Sequence, residues 1–199
     1  MPPFDWPDDP IEIIRQFESR HSNPEAGALL LFAIWTIDSL YYLQDLDGAH
    51  DLSQTTVAGH RPDVVEVAHS RWATGACITA LDLCVAALGR ALCAYTGKPE
   101  LAVSDLYQKR KGKPDLRALL PSEALQWVEA VNADPRYKQI KAVRNALTHA
   151  RVLRHFTLPR RRLEIQIRDD RLDVPRVIRD AKDVGMTHVS KLLTILPRL

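Results

Sequence analysis

The sequence predicts an all-α protein, an up-and-down helical bundle with one small β-hairpin between its last two helices. Three observations carry this. From Trp72 to Leu88 almost every residue is apolar or small, within a segment that Pro62 opens and that runs without further proline to about Tyr95. At 1.5 Å per residue that is a helix of roughly 50 Å, too long for a small α/β unit but natural in a bundle. Helix-start signals recur along the chain at Asp9-Pro10, Ser22-Asn23-Pro24, Arg61-Pro62, Pro121-Ser122, Asp134-Pro135 and Asp173-Val174-Pro175. The apolar spacing switches to strict alternation in one place only, Leu163 to Arg168.

The elements follow in order. The start, through Asp9, reads as irregular, and Asp9-Pro10 opens a short helix to about Ser19. A longer helix follows from Pro24 to about Leu46. Its stretch from Ala28 to Trp35 is apolar nearly all round, which predicts a central position. Residues 47–61 read as a polar loop, and the long helix then ends at Thr96-Gly97. A short helix is expected within 99–110, before the basic loop Lys109 to Pro114. Ser122 to about Asn132 is the next helix, and Asp134-Pro135 opens the one after it. Leu163, Ile165 and Ile167 alternate with Glu164, Gln166 and Arg168, and Phe156 precedes the turn Pro159-Arg160-Arg161, so a hairpin is expected there. Asp173-Val174-Pro175 begins the last helix, to about Ile195. The expected organisation is an N-terminal helical extension, 1–61, packed on a helical domain, 62–199, as one unit.

The chain has 199 residues, 46% hydrophobic and 26% charged, which suits a globular domain with a real core. Met1 to Trp6 has neither the basic nor the apolar region of a signal peptide. Cys77, Cys84 and Cys93 fall on one apolar helix, where they cannot pair, so they are expected to be reduced core residues of a cytoplasmic protein. The long apolar helix carries Thr79 and Asp82 in its middle, which favours a buried bundle helix over a membrane span. The net charge of +2 hides an asymmetry. Residues 1–100 hold 6 basic and 14 acidic side chains, and the remainder holds 21 basic and 11 acidic. The basic half can present a surface to a polyanion or can match the acidic half within the molecule.

Arg144-Asn145-Ala146-Leu147-Thr148-His149 stands out in the basic half. It places a permanent cation, an amide, a hydroxyl and an imidazole within about two helical turns, fanned across an arc of about 140°. Ile140, Val143, Ala146, Leu147 and Ala150 occupy the other side. Tyr137, Lys138 and Lys141 precede the motif on its polar side and are candidates to touch RNA. Spacing alone says little, because an Arg followed by His five to seven positions later is expected by chance about once or twice in such a chain. Arg15 and His21 make a second instance. The clear start signal and strong periodicity around Arg144 separate the two.

A bundle whose long apolar helix precedes a helix with Arg-Asn-x-x-x-His resembles the HEPN superfamily (higher eukaryotes and prokaryotes nucleotide-binding). The resemblance covers roughly residues 62–197, and its specific part is Arg144, Asn145 and His149. It implies an endoribonuclease needing no metal, of the kind found among toxins and defence proteins. It also implies a homodimer in which two motif helices form one composite site. Other members only bind nucleotides, RNA or protein partners, and that is the alternative. The first 60 residues depart from the simplest pattern. No nucleotidyltransferase-like sequence is fused here, so such a partner, or an antitoxin, would be a separate chain.

The chemistry fits those residue types. RNA supplies its own nucleophile, the 2′-hydroxyl beside the scissile phosphate. An imidazole titrating near 6.5 can remove or return a proton near neutral pH, which is the role expected of His149. Arg144 can present a planar fork to two phosphate oxygens. Asn145 can orient the imidazole or donate to phosphate. Lys141, Thr148, Arg154, Arg160 and Arg161 are the expected RNA-binding residues, the last two in a basic turn with Arg162 and beside His155. Asp82, on an apolar helix, needs a partner or a raised pKa, and Arg144 is one candidate partner. His50, His60, His69, His155 and His188 lack metal-ligand spacing, so no metal or cofactor is assigned.

Overall fold

The computed structural model describes residue 6 and residues 9–49, 62–93, 116–148, 154–157, 163–167 and 170–199. Among the described residues six helices pack into an all-α bundle: α1 (Pro10–His21), α2 (Pro24–Ala49), α3 (Pro62–Leu92), α4 (Ser122–Ala133), α5 (Pro135–Thr148) and α6 (Val174–Ile195). Short 3₁₀ turns precede α4 and follow α6. The expected hairpin is present as β1 (Arg154–Thr157) and β2 (Leu163–Ile167), paired antiparallel with His155 opposite Ile165. A third strand, β3 (Asp170–Asp173), pairs with β2 and places Leu172 opposite Ile165, so the hairpin is one part of a three-stranded sheet. Sequence reasoning missed β3 because Asp170 to Asp173 is too short and too acidic to show alternation. Helix α2 runs to Ala49, into the loop expected at 47–61; the rest of that loop, 50–61, and the helix expected within 99–110 lie outside the described residues.

The helix boundaries follow local chemistry. Asp9 caps α1 by accepting from the N–H groups of Ile11 (2.9 Å) and Glu12 (3.3 Å), with Pro10 in the first turn. Ser22 ends α1 in the left-handed region at φ 48°. Asn23 then caps α2 through the Ala26 N–H (3.0 Å), while its amide donates to the Arg90 carbonyl (3.2 Å). One residue thus starts α2 and ties it to the end of α3. An ion pair between Glu25 and Arg90 closes the same end.

The core is built around α3, which packs against α1, α2, α5 and α6. Leu81, Cys84, Val85 and Leu88 of α3 meet Leu30, Ile37 and Leu40 of α2, and Val184, Val189, Leu192 and Leu193 of α6 complete the same cluster. The central position predicted for α2 therefore belongs to α3. Helix α2 lies to one side, with Phe32 and Trp35 facing outward. Residues Ala68–Leu92 are apolar and long enough to cross a membrane, but more than half of that stretch is buried within the bundle. The three cysteines are free, as expected. Burial pushes the Cys77 thiol up to about 12 and raises Cys84 further, the Asp82 charge adding to both.

Two glycines report how closely α2 is held. A Cβ on Gly185 would fall on Cδ1 of Ile37, which is itself fully buried. Gly185→Ala is expected to destabilise by about 1–3 kcal/mol through overpacking, despite its better helix propensity. A Cβ on Gly27, itself buried, would meet first the flexible carboxylate of the half-buried Glu18. Gly27→Ala is expected to cost less than Gly185→Ala, because the Glu18 carboxylate can swing aside and the gain in helix propensity, about 1 kcal/mol, offsets the tight contact. Urea melts of the two variants check the contrast, and equal effects would contradict it.

Candidate functional site

Helix α5 begins at Asp134, which serves both helices it joins. The Asp134 N–H bonds back to the Ala130 carbonyl at the end of α4 (3.2 Å), and its carboxylate accepts from the Arg136 N–H (2.8 Å) at the start of α5. Its other oxygen lies 3.1 Å from His188 Nε2 on α6. His188 is 3% exposed, and its carbonyl accepts from the indole N–H of Trp127 on α4 (2.8 Å). The start of α5 is therefore pinned to α4 and α6. Burial holds His188 below its ordinary pKa, opposed in part by Asp134. For Asp134, burial raises the pKa, but the Arg136 N–H together with the His188 and Arg136 side chains outweighs it and leaves the carboxyl lowered. At neutral pH the pair is carboxylate and neutral imidazole, with Nε2–H donating to Asp134. His188 Nδ1 is buried and has no hydrogen-bond partner among the described residues.

From this anchored start, Tyr137, Ile140, Val143 and Ala146 form the buried face of α5 against its neighbours. At 100° per residue Lys138, Lys141, Asn145 and Thr148 fall outside that arc and Arg144 at its margin, while Arg136 is exposed in the first turn. Helix α5 carries four cations and no carboxylate. Tyr137 is 1% exposed, so it belongs to the core and not to the RNA-facing side. At 100° per residue it sits beside Ile140 and Arg144, at the edge where the apolar face ends. Lys141 covers that edge, its ammonium 6.0 Å from the Tyr137 ring centroid.

Arg144 is half-buried at the same edge, and its Nη1 donates to Asn145 Oδ1 at 3.0 Å. Asn145, also half-buried, thus holds the guanidinium, a role different from orienting an imidazole. The partner of Arg144 is Asn145 and not Asp82, which is half-buried on α3. Among the described residues Arg144 has no carboxylate partner, so its charge is not neutralised by a fixed acid. Thr148 is exposed at the last position of α5. His149, Arg160 and Arg161 lie outside the described residues. Arg154 is placed by its backbone in β1, opposite Gln166. Strand β2 lies against α5 and α6, which puts the sheet beside the helix that carries the motif.

Sequence reasoning missed two polar groups inside the bundle. His188 shows no ligand spacing, and only the fold brings it to Asp134. Lys182 is 3% exposed, with its ammonium 4.1 Å from the Tyr41 ring centroid. Nearby, the Trp6 indole N–H donates to Asp38 (3.1 Å), whose carboxyl is raised by burial despite that bond. The Tyr41 hydroxyl is raised by burial and by the charges of Asp183 and Asp38. An apolar run at helical spacing on α6 hides Lys182 from any reading by residue type alone. No family model matches the chain, and no curated protein or solved structure matches it either.

Proposed function

We propose that the protein is an endoribonuclease of HEPN type, cleaving RNA to 2′,3′-cyclic phosphate and 5′-hydroxyl ends. The observation that carries this is Arg144. Its guanidinium sits half-exposed on a helix with four cations and no acid, held by a neutral amide and, among the described residues, not neutralised by a carboxylate. A fork held in that way is available to two oxygens of a phosphate. His149 follows Thr148 directly in the sequence, and its imidazole supplies proton transfer.

In this reading the 2′-hydroxyl loses its proton to an imidazole and attacks the adjacent phosphorus. Arg144 stabilises the charge that develops on the non-bridging oxygens. The P–O bond to the 5′-oxygen breaks as that oxygen takes a proton. A second copy of the chain, its motif helix facing the first, would supply the second imidazole, so that one His149 acts as base and the other as acid. Lys141, Thr148, Arg154, Arg160 and Arg161 would hold the RNA backbone. A toxin or defence role, held in check by a separate antitoxin or nucleotidyltransferase-like chain, is consistent with such an activity in the cytoplasm.

The test is incubation of the full chain with an end-labelled structured RNA in EDTA, beside His149→Ala protein purified identically. Wild type should cleave and leave cyclic phosphate ends, and the variant should not. Equal cleavage by both would overturn the assignment. Salt-sensitive binding without cleavage by either would replace it with a binding module.

A further inference from the structure

We infer that His188 is an acid-released latch on the corner between α4 and α5, which frees the start of α5 while the rest of the bundle stays folded. The latch rests on the fold alone, and its effect on RNA rests on the ribonuclease reading. The corner is a single residue. Helix α4 ends at Ala133 and α5 begins at Pro135, so whatever moves Asp134 moves the junction of both. The Asp134 N–H reaches back to α4, its carbonyl accepts from the Lys138 N–H (3.2 Å), and its carboxylate accepts from the Arg136 N–H. From Tyr137 onward α5 is held by its buried apolar face. Pro135 and Arg136 are exposed, so the first turn depends on the bond from Asp134 to His188 Nε2.

The surroundings of the ring make the latch sensitive to acid. When the imidazole is neutral, Nε2–H donates to Asp134 and Nδ1 carries a lone pair. A second proton turns Nδ1 into a donor, buried and without an acceptor among the described residues. The Asp134 carboxylate favours the imidazolium, whereas burial, Lys191 and Arg136 oppose it, burial most strongly. Helix α3 turns the Cys77 thiol towards the same carboxylate, and burial keeps that thiol neutral. Helix α4 contributes the uncharged indole of Trp127, which is bonded to the His188 carbonyl. In an opened corner, water accepts from both ring N–H groups. The open form therefore takes up a proton near the ordinary value of about 6.5, and the closed form resists it. Acidification below that value favours opening.

Opening detaches the Arg136 and Lys138 amides from Asp134 and leaves α5 on the contacts of Tyr137, Ile140, Val143 and Ala146. The polar stripe of Lys138, Lys141, Asn145 and Thr148 begins at that released turn. In the ribonuclease reading, acid thus loosens the RNA-facing helix at its start, separately from any titration of His149.

The experiment is amide hydrogen exchange by NMR on the full chain, from pH 7 to pH 5, with the intrinsic pH dependence of exchange divided out. The opening seen by the Arg136 and Lys138 amides should become easier below about pH 6.5, by up to about tenfold per pH unit. The amides of Leu81 and Leu88 in α3 should stay more protected at every pH, which marks the opening as local. His188→Gln keeps an N–H for Asp134 but does not titrate, and should abolish the pH dependence of the corner amides. A second measurement needs no variant: in the closed wild-type protein the His188 ring should remain neutral at the pH where corner exchange begins to rise. Corner amides that exchange in step with those of α3 would overturn the latch, because the bundle would then open as a whole. So would a pH dependence that survives in His188→Gln, or a closed-state ring that already titrates at about 6.5 or above. No RNA is present, so failure here is distinct from failure of the ribonuclease reading.

Discussion

Arg144→Ala protein is expected to cleave RNA about 100- to 1,000-fold more slowly than wild type, the usual cost of losing one pre-positioned donor to a developing oxyanion. Its melting temperature should hardly change. Arg144 sits at the edge of the buried face, and its bond is to the neighbouring Asn145, so removing it uncovers no buried charge. Arg144→Lys separates charge from geometry. It keeps the cation but loses the planar fork, and should recover only part of the rate. Single-turnover cleavage of a labelled RNA measures both. Full activity in Arg144→Ala would remove this residue from the chemistry, and a large loss of stability would reassign it to the fold.

The largest expected effect on stability lies at the opposite end of α5. Asp134→Ala removes the cap on the Arg136 N–H and leaves the buried His188 Nε2 without its acceptor. Cap loss costs about 1 kcal/mol, and a buried unpaired donor about 1–3 kcal/mol more, so a loss of about 2–4 kcal/mol is expected. Chemical denaturation at pH 7 checks it, and a loss under about 0.5 kcal/mol would show that the pin is dispensable.

The pH dependence has a definite sign. His188 has a lower pKa folded than unfolded, because burial disfavours the imidazolium. Below its unfolded value, near 6.5, the unfolded chain binds more protons, so stability falls as pH drops from there towards the folded pKa and is flat above. Asp134 is lowered, so its contribution is present above its unfolded value and is lost as pH falls through the folded pKa, in more strongly acidic solution. The difference in unfolding free energy between wild type and His188→Gln, followed from pH 8 to pH 5, should decline only below about pH 6.5. A difference that grows on acidification would refute the assignment of a neutral, buried imidazole.

The helices themselves were legible because each carries its own boundary chemistry. Asp9, Asn23 and Asp134 precede prolines, and the structure shows all three making the capping bonds those residue types allow. The buried face of α5 was readable from the spacing of Ile140, Val143 and Ala146, and the hairpin from the alternation of Leu163, Ile165 and Ile167. Tyr137 was misread because phenol is compatible with either side of a helix, and its position at the margin of the apolar arc left residue type undecided. Strand β3 was missed because four residues bounded by acids carry no periodic signal.

What the sequence determined by itself, then, was the six described helices, the β1–β2 hairpin and the chemical inventory of α5, all of which depend on residues a few positions apart. The tertiary structure alone decided which apolar helix became central. Helices α2 and α3 are both apolar nearly all round, and neither pattern says which one the other helices surround; packing put α3 in the middle and turned Phe32 and Trp35 outward. It likewise decided that Asn145 holds Arg144, that His188 meets Asp134 across 54 residues, and that Lys182 lies on Tyr41. Those pairings rest on the relative rotation and offset of packed helices, which long-range burial sets and local propensity does not.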